Sequence, residues 1–137
     1  MALVVDTGVL YGALDDKDPR HEACSKLLTE TAEQLVIPSP VLVELDYWIR
    51  KHATADAWVL FAEDLVAGVY SIFQIDPSLT RECAQVQANY ADAGIGFVDA
   101  AVFLTCDVLG ESKVATLDRR HFGILRRADG GALELLP

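Results

Sequence analysis

Apolar runs recur along the chain at Leu3–Val5, Leu35–Ile37, Tyr70–Ile75 and Val114–Leu117, with a weaker one at Leu133–Leu136. Runs that are apolar at consecutive positions predict strands covered on both faces. Helical patterns fill the intervals, over residues 21–31, 40–51, 56–66, 77–91 and 98–109. Several starts are marked: the turn DDKDPR precedes His21, Ser39 offers an N-cap ahead of Pro40, Asp76-Pro77 opens the fourth helix, and AGIG precedes the last. Strand and helix alternating in this way predict an α/β fold with a largely parallel sheet. Right-handed crossovers then put helices on both faces, and a reversal of strand order opens a crevice at the carboxyl edge.

Two acids leave that edge. Asp6 ends the first apolar run in MALVVDTG, and Asp118 follows VATL in the same way, so equivalent depths are expected for the two. An acid after a strand serves as a turn former or N-cap, or as a catalytic group. Two further acids sit on helices. Glu44, in PVLVELDYWIR, lies beside the apolar stripe of Val41, Leu45 and Trp48. Asp99 falls in the first turn of VDAAVFLTC and shares a face with Val102, Phe103 and Cys106, although a dipole-stabilising role suits that position too.

Carboxylates turned toward a core must be protonated, paired with a base or bound to a cation. Lys and Arg are absent from Glu82 to Ser112, so a cation is the simplest partner for Asp99. Oxygen ligands without a histidine or cysteine cluster suit Mg2+ or Mn2+ rather than zinc, and His21, His52 and His121 show no ligand spacing.

The length of 137 residues is that of one domain, and 52% hydrophobic residues supply a core. Cys24, Cys83 and Cys106, with no CxxC pair, read as reduced thiols of a cytosolic protein. There is no signal-peptide pattern, and Glu63 and Asp64 interrupt the most apolar region, so a cytoplasmic protein with no membrane span is expected. The net charge of −10 argues against a polyanionic partner until its distribution is considered. Lys113 to Arg127 holds five of the eleven basic residues against one acid, a local surplus of +4.

The fragments MALVVDTGVLYGALDDKDPRH, VIPSPVLVELDYWI, IGFVDAAVFLTC and VATLDRRHF, in that order and spacing, resemble the PIN-domain ribonucleases of the VapC toxin type. The resemblance spans residues 3 to about 127. It implies a three-layer α/β/α domain with a short, mainly parallel sheet and metal-dependent cleavage of RNA with Mg2+ or Mn2+. It also implies a homodimer and inhibition by a small VapB-like antitoxin. By position it assigns Asp6, Glu44, Asp99 and Asp118 as metal-binding and catalytic acids, with Thr7 and Thr116 close to the metal. Arg119 and Arg120, directly after Asp118, are placed to touch flanking RNA phosphates, and Arg126 and Arg127 to extend the track; a solvated, antitoxin-facing or C-terminal helix patch is the competing reading of these arginines.

Other residues carry plainer expectations. Asp15, Asp16 and Asp18 form a solvated turn, Asp92 closes a helix before Gly94, and His21 and His121 are expected to be capping or packing histidines, with contact to RNA as the alternative. Trp58, Phe61 and Leu65 share a stripe on a helix that Val59, Leu60 and Val66 make apolar nearly all round, which suggests cover by a dimer mate or the antitoxin. Two other classes compete with the nuclease. A haloacid-dehalogenase-like phosphatase needs a second acid two residues after the first, where this chain has Gly8. A non-catalytic PIN module that binds RNA or protein would be expected to lose acids from the quartet, and all four are present.

Overall fold

A computed structural model describes residues 1–137. The elements run β1 (Ala2–Val5), α1 (Thr7–Leu14), α2 (His21–Glu30), β2 (Gln34–Pro38), α3 (Ser39–His52), α4 (Ala55–Val66), β3 (Tyr70–Phe73), α5 (Pro77–Asn89), a 3₁₀ turn (Ala91–Ala93), α6 (Phe97–Leu109), β4 (Lys113–Ala115), α7 (Arg119–Phe122) and β5 (Glu134–Leu136). The five strands form one sheet in the order β3-β2-β1-β4-β5, parallel throughout. Leu3, Val4 and Val5 are all buried, as are Leu35, Val36 and Ile37. Consecutive burial in a pleated strand requires cover on both faces, which the helices supply in an α/β/α sandwich.

The helices face the sheet through regular apolar spacings. In α3 the stripe is Val41, Leu45 and Ile49, all fully buried, and in α6 it broadens to Ala100–Phe103 with Cys106. The larger of these side chains, Val41, Leu45, Ile49, Val102 and Phe103, contribute roughly 1.5–3 kcal/mol each on burial. Gly110 ends α6 at φ 69°, a left-handed C-cap open to glycine without strain. The three cysteines are free and buried. No helix is long and apolar enough to cross a membrane.

Some elements differ from their sequence expectation. Ser39 is the first residue of α3, Pro38 takes the cap position, and the Ser39 hydroxyl accepts the Ile75 N–H at 3.2 Å instead of capping. Helix α1 is additional, capped by Asp6 and packed on α2 through Gly12, whose carbonyl meets His21 Nδ1 at 2.9 Å. That contact sets the His21 ring against α1. Strand β4 stops at Ala115, short of Leu117. In α4 only Phe61 is fully buried, and Val59, Leu60 and Val66 are exposed.

Candidate active site

The register of the two central strands sets the depth of the first acid. Val4 pairs with Val114 and Val5 with Ala115, so Asp6 comes level with Thr116, and Asp118 lies two residues further out. The expectation of equal depth for Asp6 and Asp118 is therefore corrected: the strand pattern VATL continues past the point where the ladder ends. Thr116 fills the level place. Its hydroxyl donates to Asp6 Oδ2 at 2.8 Å and accepts the Asp118 N–H at 3.1 Å.

Both strand-end acids also cap helices. Asp6 Oδ1 accepts the Thr7 N–H at 2.8 Å at the start of α1, and Asp118 Oδ1 accepts the His121 N–H at 2.9 Å at the start of α7. Asp99 does the same within α6, accepting the Gly96 N–H at 3.2 Å. Capping accounts for one carboxylate oxygen of each acid. The other oxygens of Asp6 and Asp118 go to Thr116 and to His121.

Asp6, Glu44, Asp99 and Asp118 line one cavity of about 520 Å³ together with Thr7, Gly8, Tyr11, Trp48, Leu117 and His121. The acids come from the residue after β1, from α3, from α6 and from the segment after β4, so four separate parts of the chain meet there. An adjoining groove of about 870 Å³ shares Glu44 and Trp48 but is otherwise mainly apolar, walled by Pro40, Val43, Tyr47, Ile75, Phe97 and Val98. The titratable groups gather in the smaller space.

Electrostatics there are unfavourable without a counter-charge. Burial lifts the Asp6 carboxyl from 3.8 to about 6; hydrogen bonds from Thr116 and Thr7 oppose the rise, and the charges of Asp99 and Glu44 add to it. The Asp99 carboxyl is likewise raised, chiefly by burial, with the Gly96 N–H opposing and the Asp118 charge adding. No Lys or Arg pairs with any of the four acids. The Thr7 hydroxyl, 3% exposed as a residue, has no hydrogen-bond partner. A set of carboxylate oxygens with an orphaned hydroxyl beside them fits a hard divalent cation.

His121 departs from its expected capping or packing role. Its Nδ1 lies 2.8 Å from Asp118 Oδ2 and 3.6 Å from Asp99 Oδ2, so it faces the acids. Its spacing of three residues from Asp118 at a helix start was the one sequence signal for this. Arg119 and Arg120 are exposed on α7 and do not line the cavity, and Arg119 donates to the Pro137 carbonyl at 3.2 Å. Arg126 turns back onto the Gly123 and Leu125 carbonyls, and Arg127 onto Asp129.

Comparison with known proteins places this geometry. The PIN domain family model matches residues 3–130. The chain is 30% identical to ribonuclease VapC26 of Mycobacterium tuberculosis over 98% of its own length and 100% of that protein. Its fold superposes on the crystal structure of M. tuberculosis VapC20, a Sarcin-Ricin loop cleaving toxin, with a TM-score of 0.82 at 18% identity, covering 98% and 99% of the two chains. A second match is VapBC2 from Rickettsia felis bound to a DNA fragment from its promoter, with a TM-score of 0.65 at 18% identity over 98% and 97%. The acid-lined crevice at the carboxyl edge of a parallel sheet thus comes with matching sequence over nearly the full length: the chain belongs to the PIN-domain family, alongside its VapC-type ribonucleases.

Proposed function

We propose that the chain is a divalent-metal-dependent endoribonuclease that acts as the toxin of a toxin–antitoxin pair and is held inactive by a VapB-like antitoxin. The observation that carries the proposal is the meeting of Asp6, Glu44, Asp99 and Asp118 in one cavity where no Lys or Arg neutralises them. Sequence identity of 30% to a ribonuclease over 98% of this chain and 100% of that one supports the nuclease activity, and the fold likeness to VapC and VapBC structures is consistent with the partner.

Asp6, Asp99 and Asp118 would hold Mg2+ or Mn2+. When bound, such an ion lowers the pKa of a coordinated water and neutralises phosphate charge. Thr116 fixes the orientation of Asp6 and ties it to the Asp118 backbone. Glu44, whose charge acts on both Asp6 and Asp99, is placed to complete the ligand shell or to take the proton of the attacking water. Thr7 brings its unpartnered hydroxyl to the same cavity. Arg119 and Arg120 follow Asp118 directly and would meet the phosphates that flank the cleaved bond.

The test is cleavage of a structured RNA by the purified chain with Mg2+, with Mn2+ and with excess chelator. Activity is expected with either metal, none with chelator, and none in Asp6→Asn or Asp99→Asn. Undiminished cleavage by Asp6→Asn in chelator would overturn the proposal.

A further inference from the structure

Among the residues around the acidic cavity, one side chain can supply a ring nitrogen to an ion: His121, whose Nδ1–H donates to the Asp118 carboxylate and whose Nδ1 becomes a donor atom for a cation in the Nε2–H tautomer. A single ring atom, Nδ1, approaches Asp118 Oδ2 at 2.8 Å and Asp99 Oδ2 at 3.6 Å, so this nitrogen points into the space between the two carboxylates. Donor atoms of Asp99, Asp118 and His121 all lie within 4.8 Å of one another. Ligands at right angles around one ion, with bonds of about 2.1 Å, stand about 3 Å apart. The observed separations bracket that value. All three side chains are partly exposed, at 20%, 34% and 23%, so an ion can enter. Independently, the buried Thr7 hydroxyl on the same cavity lacks any partner.

We infer that His121 is a direct nitrogen ligand of the bound cation, alongside Asp99 and Asp118, and that it biases the site toward Mn2+ over Mg2+. The inference rests on the metal-dependent nuclease reading and adds a donor to it. Mg2+ favours oxygen ligands and retains its waters, whereas imidazole suits first-row transition ions. A histidine that served only to orient Asp118 through a hydrogen bond would leave that preference unchanged.

The experiment uses the full chain with Mn2+ alone. Pulsed electron paramagnetic resonance of bound Mn2+ should show the nitrogen coupling of a coordinated imidazole, and His121→Asn should abolish it. Asn keeps an N–H near the position of Nδ1, so it preserves orientation of Asp118 without supplying the ring nitrogen. The Mn2+ dissociation constant is expected to rise about tenfold in His121→Asn, with Mg2+ affinity changed less than about twofold. Wild-type spectra without nitrogen coupling would overturn the inference, as would equal weakening of both ions or a failure to bind Mn2+. RNA cleavage run in parallel separates the two levels: metal-dependent cleavage without nitrogen coupling removes only the role of His121, whereas metal-independent cleavage removes the function it rests on.

Discussion

The Thr116 hydroxyl donates to Asp6 Oδ2 at 2.8 Å, and both residues are buried where neighbouring parallel strands end. This hydrogen bond opposes the effect of burial, which holds the Asp6 carboxyl near 6. Thr116→Val removes the donor at almost constant volume. A hydrogen bond to a charged group contributes roughly 1.5–3 kcal/mol, equivalent to about one to two pH units. The Asp6 carboxyl therefore rises further above 6, and a cation must displace a more tightly held proton. The acid limb of the cleavage pH profile is expected to move up by about one unit or more in Thr116→Val, and to return in Thr116→Ser.

Asp6 also costs the metal-free protein stability. Its carboxyl titrates at about 6 in the fold against an ordinary 3.8, so the folded state binds the proton more tightly than the unfolded state. Stability linked to this group is fully present below pH 3.8 and is lost as pH rises through 6. The difference is about 2 units, or about 3 kcal/mol as an upper figure at 1.36 kcal/mol per unit. In chelator, urea unfolding should show Asp6→Asn more stable than wild type at pH 7.5 by up to that amount. The gain should fade near pH 4. An equal effect at both pH values would mean that burial of the charge is not the cause.

The strands and the acids were legible in the sequence to different degrees. β1 and β2 stood out because every residue of Leu3–Val5 and Leu35–Ile37 is buried, leaving unbroken apolar runs. Asp6 was legible as the residue that ends such a run. Helix α1 was hidden because its sequence TGVLYGAL carries two glycines and its cap is that same Asp6. Helix α7, at four residues, is too short to show a period. The place of Asp118 differs from its sequence expectation by two residues because Thr116 and Leu117 read as strand, while the ladder with β1 ends at Ala115. His121 is not legible as a cavity residue because one histidine beside one acid has no ligand spacing, and the carboxylate of Asp99 reaches it only through the fold.

The α1–α2 contact depends on the absence of a side chain at Gly12. A Cβ there would stand 2.9 Å from the buried Cys24 Sγ, closer than packed atoms allow. Overpacking of this kind costs roughly 1–3 kcal/mol, offset by about 1 kcal/mol from better helix propensity. Gly12→Ala is thus expected to lower stability by about 1 kcal/mol net in urea unfolding. Cys24→Ala in the same chain removes the sulfur and should restore most of the loss. A double-mutant cycle with no coupling would show that the helices separate freely instead.

The basic residues of the α7 region divide by whether their side chains are already engaged. Arg126 is spent on the Gly123 and Leu125 carbonyls at 2.7 and 3.0 Å, and Arg119 reaches the Pro137 carbonyl at 3.2 Å. Arg120, exposed and two residues beyond Asp118, has no ion pair or hydrogen bond of its own to lose on meeting a phosphate. Each phosphate contact on a single strand contributes about 0.7 to the slope of log affinity against log salt. RNA binding measured across a salt series in an Asp6→Asn background, where cleavage is blocked, should show a slope smaller by about that amount in Arg120→Ala. Arg126→Ala should leave the slope unchanged, because freeing its site from two carbonyls removes no phosphate contact. Equal slopes for all three chains would place the RNA path away from α7 and leave these arginines on an ordinary solvated face.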